Sequence, residues 1–311
     1  TILLSDTFLR LKPDLLMLLG DRFEAHAAAT AAMLMNIPIA HIHGGEITEG
    51  AVDEKIRHSI TKMSHLHFTS TIEYKNRVIQ LGEQPSMVHS VGAFGIESIN
   101  KLKLLTKREL EQSMGFKLDG LIFLVTYHPV TLEERMAEEQ FRNLLMTLEM
   151  FTKVRVIFTK SNADAEGRII NTMIDDFAKK HSSNTKIFSS LGQLRYLSAV
   201  KYCNVVIGNS SSGLIEVPSF NKPTVNIGDR QKGRIKADSV ISCGATKIEI
   251  KKAIDLALSS EHQKKIQKTK NPYGSGNVSE KVINTLIKTS VEKILFKEFY
   301  DVNPDKKFNI D

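Results

Sequence analysis

Titratable side chains follow two short apolar runs near the start of the chain. Asp21 comes directly after one run, and His43 and Glu46 come after the next. Two glycines between His43 and Glu46 permit a tight turn, and Asp53 lies a few residues further on. Carboxylates and imidazoles are the usual general acids and bases near neutral pH. We therefore expect side chains of this segment to act as general acids or bases in a reaction.

Structural roles compete with that interpretation. Asp21 can cap the helix that follows, and Arg22 can pair with a surface acid rather than bind a ligand. His41 and His43 alternate on one strand face, and one of two such histidines is often packed in the core. Four of these side chains could also bind a metal ion, but their spacing matches no standard zinc pattern. They are His41, His43, Glu46 and Asp53.

A serine-rich turn carries the second group of candidates. An apolar run at 205–207 ends in glycine and is followed by Ser210, Ser211, Ser212 and Gly213. The pattern predicts a buried strand, a tight turn and the start of a helix. Backbone N–H groups at such a helix start bind phosphate, although an ordinary serine-capped connection has the same pattern.

Glu216 follows this turn at a distance that disfavours a capping role. A capping box needs a glutamate three residues after the cap, at position 214 or 215 if Ser211 or Ser212 is the cap. Glu216 can then bind the hydroxyls of a ribose, as acidic residues do in dinucleotide folds. If Gly213 is the cap, this argument fails.

Three polar segments at other predicted strand ends complete the set. His128 precedes Pro129, which keeps it extended and can direct the imidazole into a cleft; a histidine bonded to backbone is the alternative. Arg230 lies in a basic, glycine-flanked loop that suits phosphate, unless that loop is a solvated turn. The loop 161–167 is better explained as a plain turn than as a ligand contact.

Apolar runs alternate with helical patterns along the chain, which predicts an α/β protein with parallel sheets. We expect two Rossmann-like domains facing a cleft, with ligands at the carboxyl ends of the strands. The predicted domains are residues 1–105 and 106–290, followed by a tail at 291–311. The chain begins within a helical pattern, so we expect the first strand–helix units of the N-terminal domain to be missing from it. The predicted strands are 14–19, 37–42, 66–69, 86–91, 121–126, 154–158, 186–188, 205–207 and 224–227. The predicted helices are 1–11, 23–35, 53–64, 71–81, 131–151, 168–181, 193–202, 246–258 and 278–299.

Composition excludes several classes of protein. The 311 residues are 41% hydrophobic and 25% charged, which is typical of a folded globular protein. The net charge of +7 is spread along the chain without interleaved aromatic residues, which argues against nucleic acid and favours an anionic small substrate. No apolar run is long enough for a membrane span. The two cysteines lack metal-type spacing, and without an export signal we expect a cytoplasmic protein.

Together these motifs resemble the hydrolysing UDP-N-acetylglucosamine 2-epimerases, closest to the bacterial branch that starts sialic acid synthesis. The matching segments occur in the family's order and cover nearly the whole chain. They are residues 20–22, 41–46, 53–58, 128–129, 208–213 with Glu216, and 226–234. The resemblance implies a fold of the glycosyltransferase-B type.

The resemblance also implies an activity and residue roles. UDP-N-acetylglucosamine and water would give N-acetylmannosamine and UDP, through loss of the C2 proton and of UDP, then rehydration of 2-acetamidoglucal. No metal or other cofactor is implied. Asp21 and Asp53 resemble the family's acid/base carboxylates, and His43 stands where many relatives have a catalytic glutamate, so either His43 or Glu46 takes that role. His128 is a further predicted catalytic residue, in the cleft near the diphosphate and the sugar. The remaining implied contacts are with UDP: Arg22, Ser210, Ser211, Ser212, Gly213, Glu216 and Arg230.

The same motifs leave alternatives open. A UDP-2,4-diacetamido-2,4,6-trideoxyglucose epimerase, on the route to legionaminic acid, would have the same pattern. A nucleotide-sugar glycosyltransferase and a non-catalytic UDP-sugar sensor are further alternatives on this fold. We also expect a homo-oligomer, either a dimer or a tetramer.

Overall fold

The computed structural model describes residues 1–49, 52–129, 136–161 and 165–302. It divides into two compact units, Thr1–Glu97 with Tyr273–Asp311, and Ser98–Pro272. Each unit contains one parallel sheet. The predicted α/β fold with two parallel-sheet domains is therefore confirmed. In the described ranges, no helix has the length and apolar character that crossing a membrane requires.

Ten strands form the two sheets, and thirteen helices are found in the described residues. The strands are β1 (Leu16–Leu19), β2 (Ile39–Ile42), β3 (Leu66–Thr69), β4 (Val88–Ser90), β5 (Leu121–Thr126), β6 (Val154–Thr159), β7 (Thr185–Phe188), β8 (Val205–Gly208), β9 (Thr224–Ile227) and β10 (Val240–Cys243). The helices are α1 (Ile2–Leu11), α2 (Phe23–Leu34), α3 (Val52–Met63), α4 (Ile72–Gln80), α5 (Phe94–Lys101), α6 (Lys107–Met114), α7 (Ala137–Leu148), α8 (Ala165–Lys180), α9 (Gly192–Tyr202), α10 (Ser212–Ile215), α11 (Lys247–Leu258), α12 (Ser260–Ile266) and α13 (Val278–Lys288).

The first unit is built on the sheet β1-β2-β3-β4. Helix α2 packs through small side chains, because Ala28, Ala29, Ala31 and Ala32 are all buried in the core beside β1 and β2. Candidate segments follow β1 and β2 directly, and residues 20–21, 43–46 and 70 follow the carboxyl ends of β1, β2 and β3 at the same edge of the sheet.

The C-terminal helix belongs to the first unit, which differs from the predicted boundary at residue 290. Val278 and Val282 of α13 pack against Ile42 and Phe68 in one apolar cluster. The helix also ends earlier than the predicted 278–299, because Thr289 has an extended backbone. Burial of its apolar face on the first sheet explains the placement, and chain order alone could not predict it.

The second unit is built on the sheet β10-β9-β8-β5-β6-β7. Side chains alternate between its two faces, since Phe123 and Val125 enter one core cluster while Ile122 and Leu124 enter another. Both faces are covered, which explains why the central strands are continuous apolar runs. The edge strand β10 is only partly buried and escaped prediction, as did α5, α6 and α12. Residues 131–135 of the predicted helix 131–151 lie outside the described residues.

Candidate functional site

A buried arginine organises the polar edge of the first unit. The Arg57 side chain is 1% exposed and forms an ion pair with Asp21. It also donates to the backbone oxygen of Glu46 at 2.8 Å, to the Thr48 hydroxyl at 3.0 Å and to the Glu54 carboxylate at 3.3 Å. Asp21 therefore holds Arg57 across the sheet edge and makes no helix cap, and the N-cap of α2 is Arg22.

His43 and Glu46 form a hydrogen-bonded pair on the loop after β2. The His43 Nδ1 lies 2.7 Å from Glu46 Oε1, which also accepts from the Ser70 hydroxyl at 3.0 Å. The Glu46 side chain is 5% exposed and that of His43 18%. His43 has a left-handed backbone with φ of 66°, an uncommon conformation for a non-glycine residue that often marks a functional loop.

Arg22 and Asp53 are two exposed charged residues near this loop. Arg22 pairs with Glu24 at 3.4 Å, so the expected surface pairing is present. The hydrogen bond with Glu24 raises the Arg22 pKa most, and the charges of Asp53 and Asp21 raise it further. Asp53 lies in the first turn of α3, one turn before Arg57. Both carboxylates therefore lie close enough to Arg22 for their charges to act on its guanidinium.

His41 is a core residue rather than a ligand. Its Nε2 lies 2.8 Å from the Gly20 oxygen and its Nδ1 lies 3.2 Å from the Thr61 hydroxyl. Burial lowers the His41 pKa to about 3, so the ring is neutral at pH 7. Among the residues that the structure describes, no three His, Cys, Asp or Glu side chains are arranged to hold a metal ion.

The serine turn of the second unit joins β8 to the short helix α10. Ser211 is the N-cap, and its side chain makes no capping bond. Position 214 is a leucine, so there is no capping box, and Glu216 lies at the C-cap. Gly213 packs closely, since a Cβ there would lie 2.7 Å from Thr224 Cγ2. Because the Gly213 N–H already donates to Ser210 O at 3.1 Å, its role is packing rather than an open donor.

His128 and Arg230 both bind the residue that precedes the serines. Asn209 accepts from the His128 N–H at 2.8 Å and donates to the His128 carbonyl at 2.7 Å. The backbone oxygen of Asn209 accepts from Arg230 Nη1 at 3.0 Å. The His128 ring lies 3.2 Å from the Ser161 hydroxyl, while residues 162–164 of that loop are outside the described residues. The structure thus joins the ends of β5, β6, β8 and β9.

The family model for UDP-N-acetylglucosamine 2-epimerases matches residues 1–287 of this chain. The chain belongs to this family. A relative from Campylobacter jejuni, the hydrolysing GDP/UDP-N,N'-diacetylbacillosamine 2-epimerase, is 41% identical over 299 residues, which cover 96% of this chain and 77% of the relative. The polysialic acid biosynthesis protein P7 of Escherichia coli is 43% identical over 293 residues, which cover 93% of this chain and 74% of that protein.

The epimerase fold is also found among solved structures. The crystal structure of UDP-GlcNAc 2-epimerase from Neisseria meningitidis, bound to UDP-GlcNAc, superposes with a TM-score of 0.80. It covers 93% of this chain and 80% of the other, at 22% sequence identity. At that identity the likeness concerns the fold, and it agrees with the two-domain, glycosyltransferase-B-like architecture.

Two residues of this epimerase-family chain organise the sites, yet they were not among the predicted site residues. In the sequence, Arg57 lies in the predicted helix and the segment 53–58, and Asn209 lies in the serine motif 208–213. The available signals were an arginine one turn after two acidic residues and an amide placed directly after a strand-ending glycine. Their partners are distant in sequence, 36 positions for Arg57 to Asp21 and 81 for Asn209 to His128.

Proposed function

We propose that this chain is a hydrolysing 2-epimerase that acts on a UDP-linked 2-acetamido sugar. The sugar loses its C2 proton and UDP, which gives a 2-acetamidoglucal, and water then adds to release the free 2-epimer. The observation that best supports this proposal is the hydrogen-bonded His43–Glu46 pair. Arg57 holds the loop of this pair through a hydrogen bond to the Glu46 backbone oxygen, and it also forms the ion pair with Asp21. An imidazole paired with a carboxylate can take a proton from a weakly acidic carbon or return one to it.

The first unit supplies the proton-transfer groups in this proposal. Glu46 is buried and accepts from His43 Nδ1–H, which leaves His43 Nε2 as the nitrogen that can take or give a proton. Glu46 then positions His43 instead of contacting the substrate. Asp53 is an exposed carboxylate and serves as the base or acid on the sugar; Asp21, like Asp53, lies close enough to Arg22 for its charge to act on that side chain.

The second unit supplies the groups that bind UDP and stabilise it as it leaves. Arg230 and the hydroxyls of Ser210, Ser211 and Ser212 bind the diphosphate, whose negative charge grows as the C1–O bond breaks. Glu216 accepts from the ribose hydroxyls. His128, held through its backbone by Asn209, lies with these groups at the strand ends.

Two substrates are candidates for this reaction. UDP-N-acetylglucosamine, which would yield N-acetylmannosamine, is the substrate predicted from the motifs. The Campylobacter relative supports a second, because N,N'-diacetylbacillosamine is 2,4-diacetamido-2,4,6-trideoxyglucose, the sugar of the predicted alternative. Polysialic acid synthesis, named for the Escherichia coli relative, supports the sialic acid route instead.

The test is incubation with each UDP-sugar in D2O, with UDP release followed by a coupled assay and the sugar by NMR. We expect free 2-epimer with deuterium at C2, because the C2 proton is lost in the elimination and a solvent deuteron is added at C2 when water adds to the glucal. The UDP-sugar with the higher kcat/KM is the preferred substrate. Release of UDP with the C2 proton and configuration retained would exclude an epimerase and favour a transferase, and intact UDP-sugar would favour a sensor.

A further inference from the structure

Asn209 occupies a constrained position between β5 and β8. It follows Gly208, whose φ is 134° and where a Cβ would lie only 1.8 Å from the Thr126 oxygen. Only glycine permits this approach. Asn209 itself is 1% exposed, and its N–H donates to the same Thr126 oxygen at 3.2 Å. Its backbone is therefore fixed at the carboxyl end of the sheet.

The Asn209 side chain uses both of its polar groups on one residue. Oδ1 accepts from the His128 N–H at 2.8 Å, and Nδ2 donates to the His128 oxygen at 2.7 Å. Such a two-point contact fixes the His128 backbone in position and in orientation, because both of its polar groups are satisfied by a single rigid amide. No other residue type of this size carries a donor and an acceptor in this geometry.

The Asn209 carbonyl makes a second two-point contact. It accepts from Arg230 Nη1 at 3.0 Å and from Gln231 Nε2 at 2.8 Å, which holds the loop after β9. Ser210, the first of the three serines, is bonded covalently to the same carbonyl carbon. Asn209 is thus connected to His128 at the end of β5, to the Arg230 guanidinium and to the serine turn.

We infer that Asn209 is a positioning residue that aligns His128, Arg230 and the serine turn for the departing UDP. This inference rests on the proposed function, whose leaving-group residues it connects. Asn209 is buried, and it acts through His128 and Arg230. Groups that stabilise a leaving anion lose much of their effect when they are displaced by about 1 Å.

The test is Asn209→Ala, measured by kcat/KM for the better UDP-sugar and by the Kd for UDP. The substitution removes both hydrogen bonds to the His128 backbone and keeps the Asn209 carbonyl that binds Arg230, so it tests the link to His128. We expect kcat/KM to fall and Kd to rise by roughly tenfold, the order of the cost of two buried hydrogen bonds. If this variant fails to fold, Asn209→Asp takes its place. The aspartate still accepts from the His128 N–H, but its second oxygen repels the His128 carbonyl, and we expect a similar loss.

The matched control is Asn204→Ala, at the opposite end of β8. Asn204 is exposed, and its Oδ1 accepts from the Ile122 N–H of β5 at 2.8 Å, so the control removes one side-chain bond between β5 and the start of β8, away from the serine turn. We expect it to change UDP affinity by less than twofold. Equal losses of UDP affinity in both variants would show that the effect is general destabilisation and would overturn the inference.

A double-mutant cycle with His128→Ala separates positioning from a structural role. If Asn209 acts through the imidazole, Asn209→Ala reduces kcat/KM far less when His128 is already alanine. The same fold loss in both backgrounds contradicts the inference but leaves the proposed function intact. Conversely, if the wild-type protein binds UDP yet turns over no UDP-sugar, the proposed function fails, and the UDP affinity of Asn209→Ala still tests the positioning role.

Discussion

At the scale of single residues, the Arg57 guanidinium is the centre of a network of ion pairs and hydrogen bonds in the first unit. Removing an arginine from water is costly unless its donors are satisfied, and here two carboxylates, a carbonyl and a hydroxyl surround it. The carbonyl belongs to Glu46, so the ion pair with Asp21 and the position of the His43–Glu46 loop depend on one side chain.

Asp53 should be required for turnover and not for UDP binding. The Asp53→Asn substitution keeps the shape of the side chain but removes its ability to take a proton. We expect kcat to fall by about 100-fold or more, with the Kd for UDP within about twofold of the wild type. Steady-state UDP release and isothermal titration measure the two quantities.

Asp176→Asn is the control for this substitution. Asp176 is 67% exposed on α8 and pairs only with Lys179 among the ion pairs of the described residues, so we expect wild-type turnover. An Asp53→Asn enzyme that keeps the wild-type kcat would contradict the assignment of Asp53 as an acid or base.

At the scale of secondary-structure elements, the contact between β5 and β8 places the second group of site residues. These strands are paired from Phe123 with Val205 to Thr126 with Gly208, and the serine turn begins one residue later. The close approach at Gly208 is therefore part of the site's geometry as well as of the sheet.

Gly208→Ala should be far more destabilising than an alanine at another glycine with positive φ. The added Cβ would clash with the Thr126 oxygen, and β5 and β8 would have to separate. We expect a loss of more than about 3 kcal/mol in the free energy of unfolding, or no soluble protein. Gly192 has a φ of 64° with open space around it, so Gly192→Ala should cost only about 1 kcal/mol.

Denaturant unfolding followed by circular dichroism compares these two variants. A Gly208→Ala protein as stable as Gly192→Ala would contradict the close approach of Gly208 to the Thr126 oxygen. UDP affinity measured on any folded fraction of Gly208→Ala should also be reduced, because the serine turn moves with the strand.

At the scale of the whole molecule, buried neutral histidines make stability depend on pH. Burial lowers the pKa of His41 to about 3 and also lowers the pKa of His67. The unfolded chain binds these protons near the ordinary value of 6.5. The contribution of these neutral histidines to the free energy of unfolding is therefore fully present above about pH 6.5, and it is lost as the pH falls from 6.5 towards 3.

His41 alone should contribute a loss of about 1.4 kcal/mol between pH 7.5 and 5.5. We expect the wild-type free energy of unfolding to fall over this interval. In His41→Gln, which is neutral at every pH, the fall should be smaller by about that amount, even though the variant starts from a lower stability. Denaturant titrations at the two pH values measure the difference, and parallel declines would contradict a neutral, buried His41.

The predicted homo-oligomer stays a prediction at this scale, as does the cytoplasmic location. Helix α2, which the sequence predicts either for a dimer interface or for the core, buries Ala28, Ala29, Ala31 and Ala32 in the core, while Phe23 and Leu34 are exposed. Size-exclusion chromatography with light scattering would determine the number of subunits.

Local pattern predicted most of the elements that carry the site. Strands β3 and β5 begin and end at the predicted residues, because a buried parallel strand is a short apolar run with clear limits. The register argument for Glu216 also holds, since Ser211 is the cap and position 214 is leucine. These features depend on neighbours within a few residues, which a sequence displays directly.

Tertiary contacts decided the rest. The packing of α13 on the first unit, the ion pair of Arg57 with Asp21 and the amide contact of Asn209 with His128 all join distant parts of the chain. The sequence by itself determined the α/β fold, nine of the ten described strands and the residue types available for chemistry. Which of those residues meet was decided only by the folded sheets, because parallel strands bring together ends that are tens of residues apart.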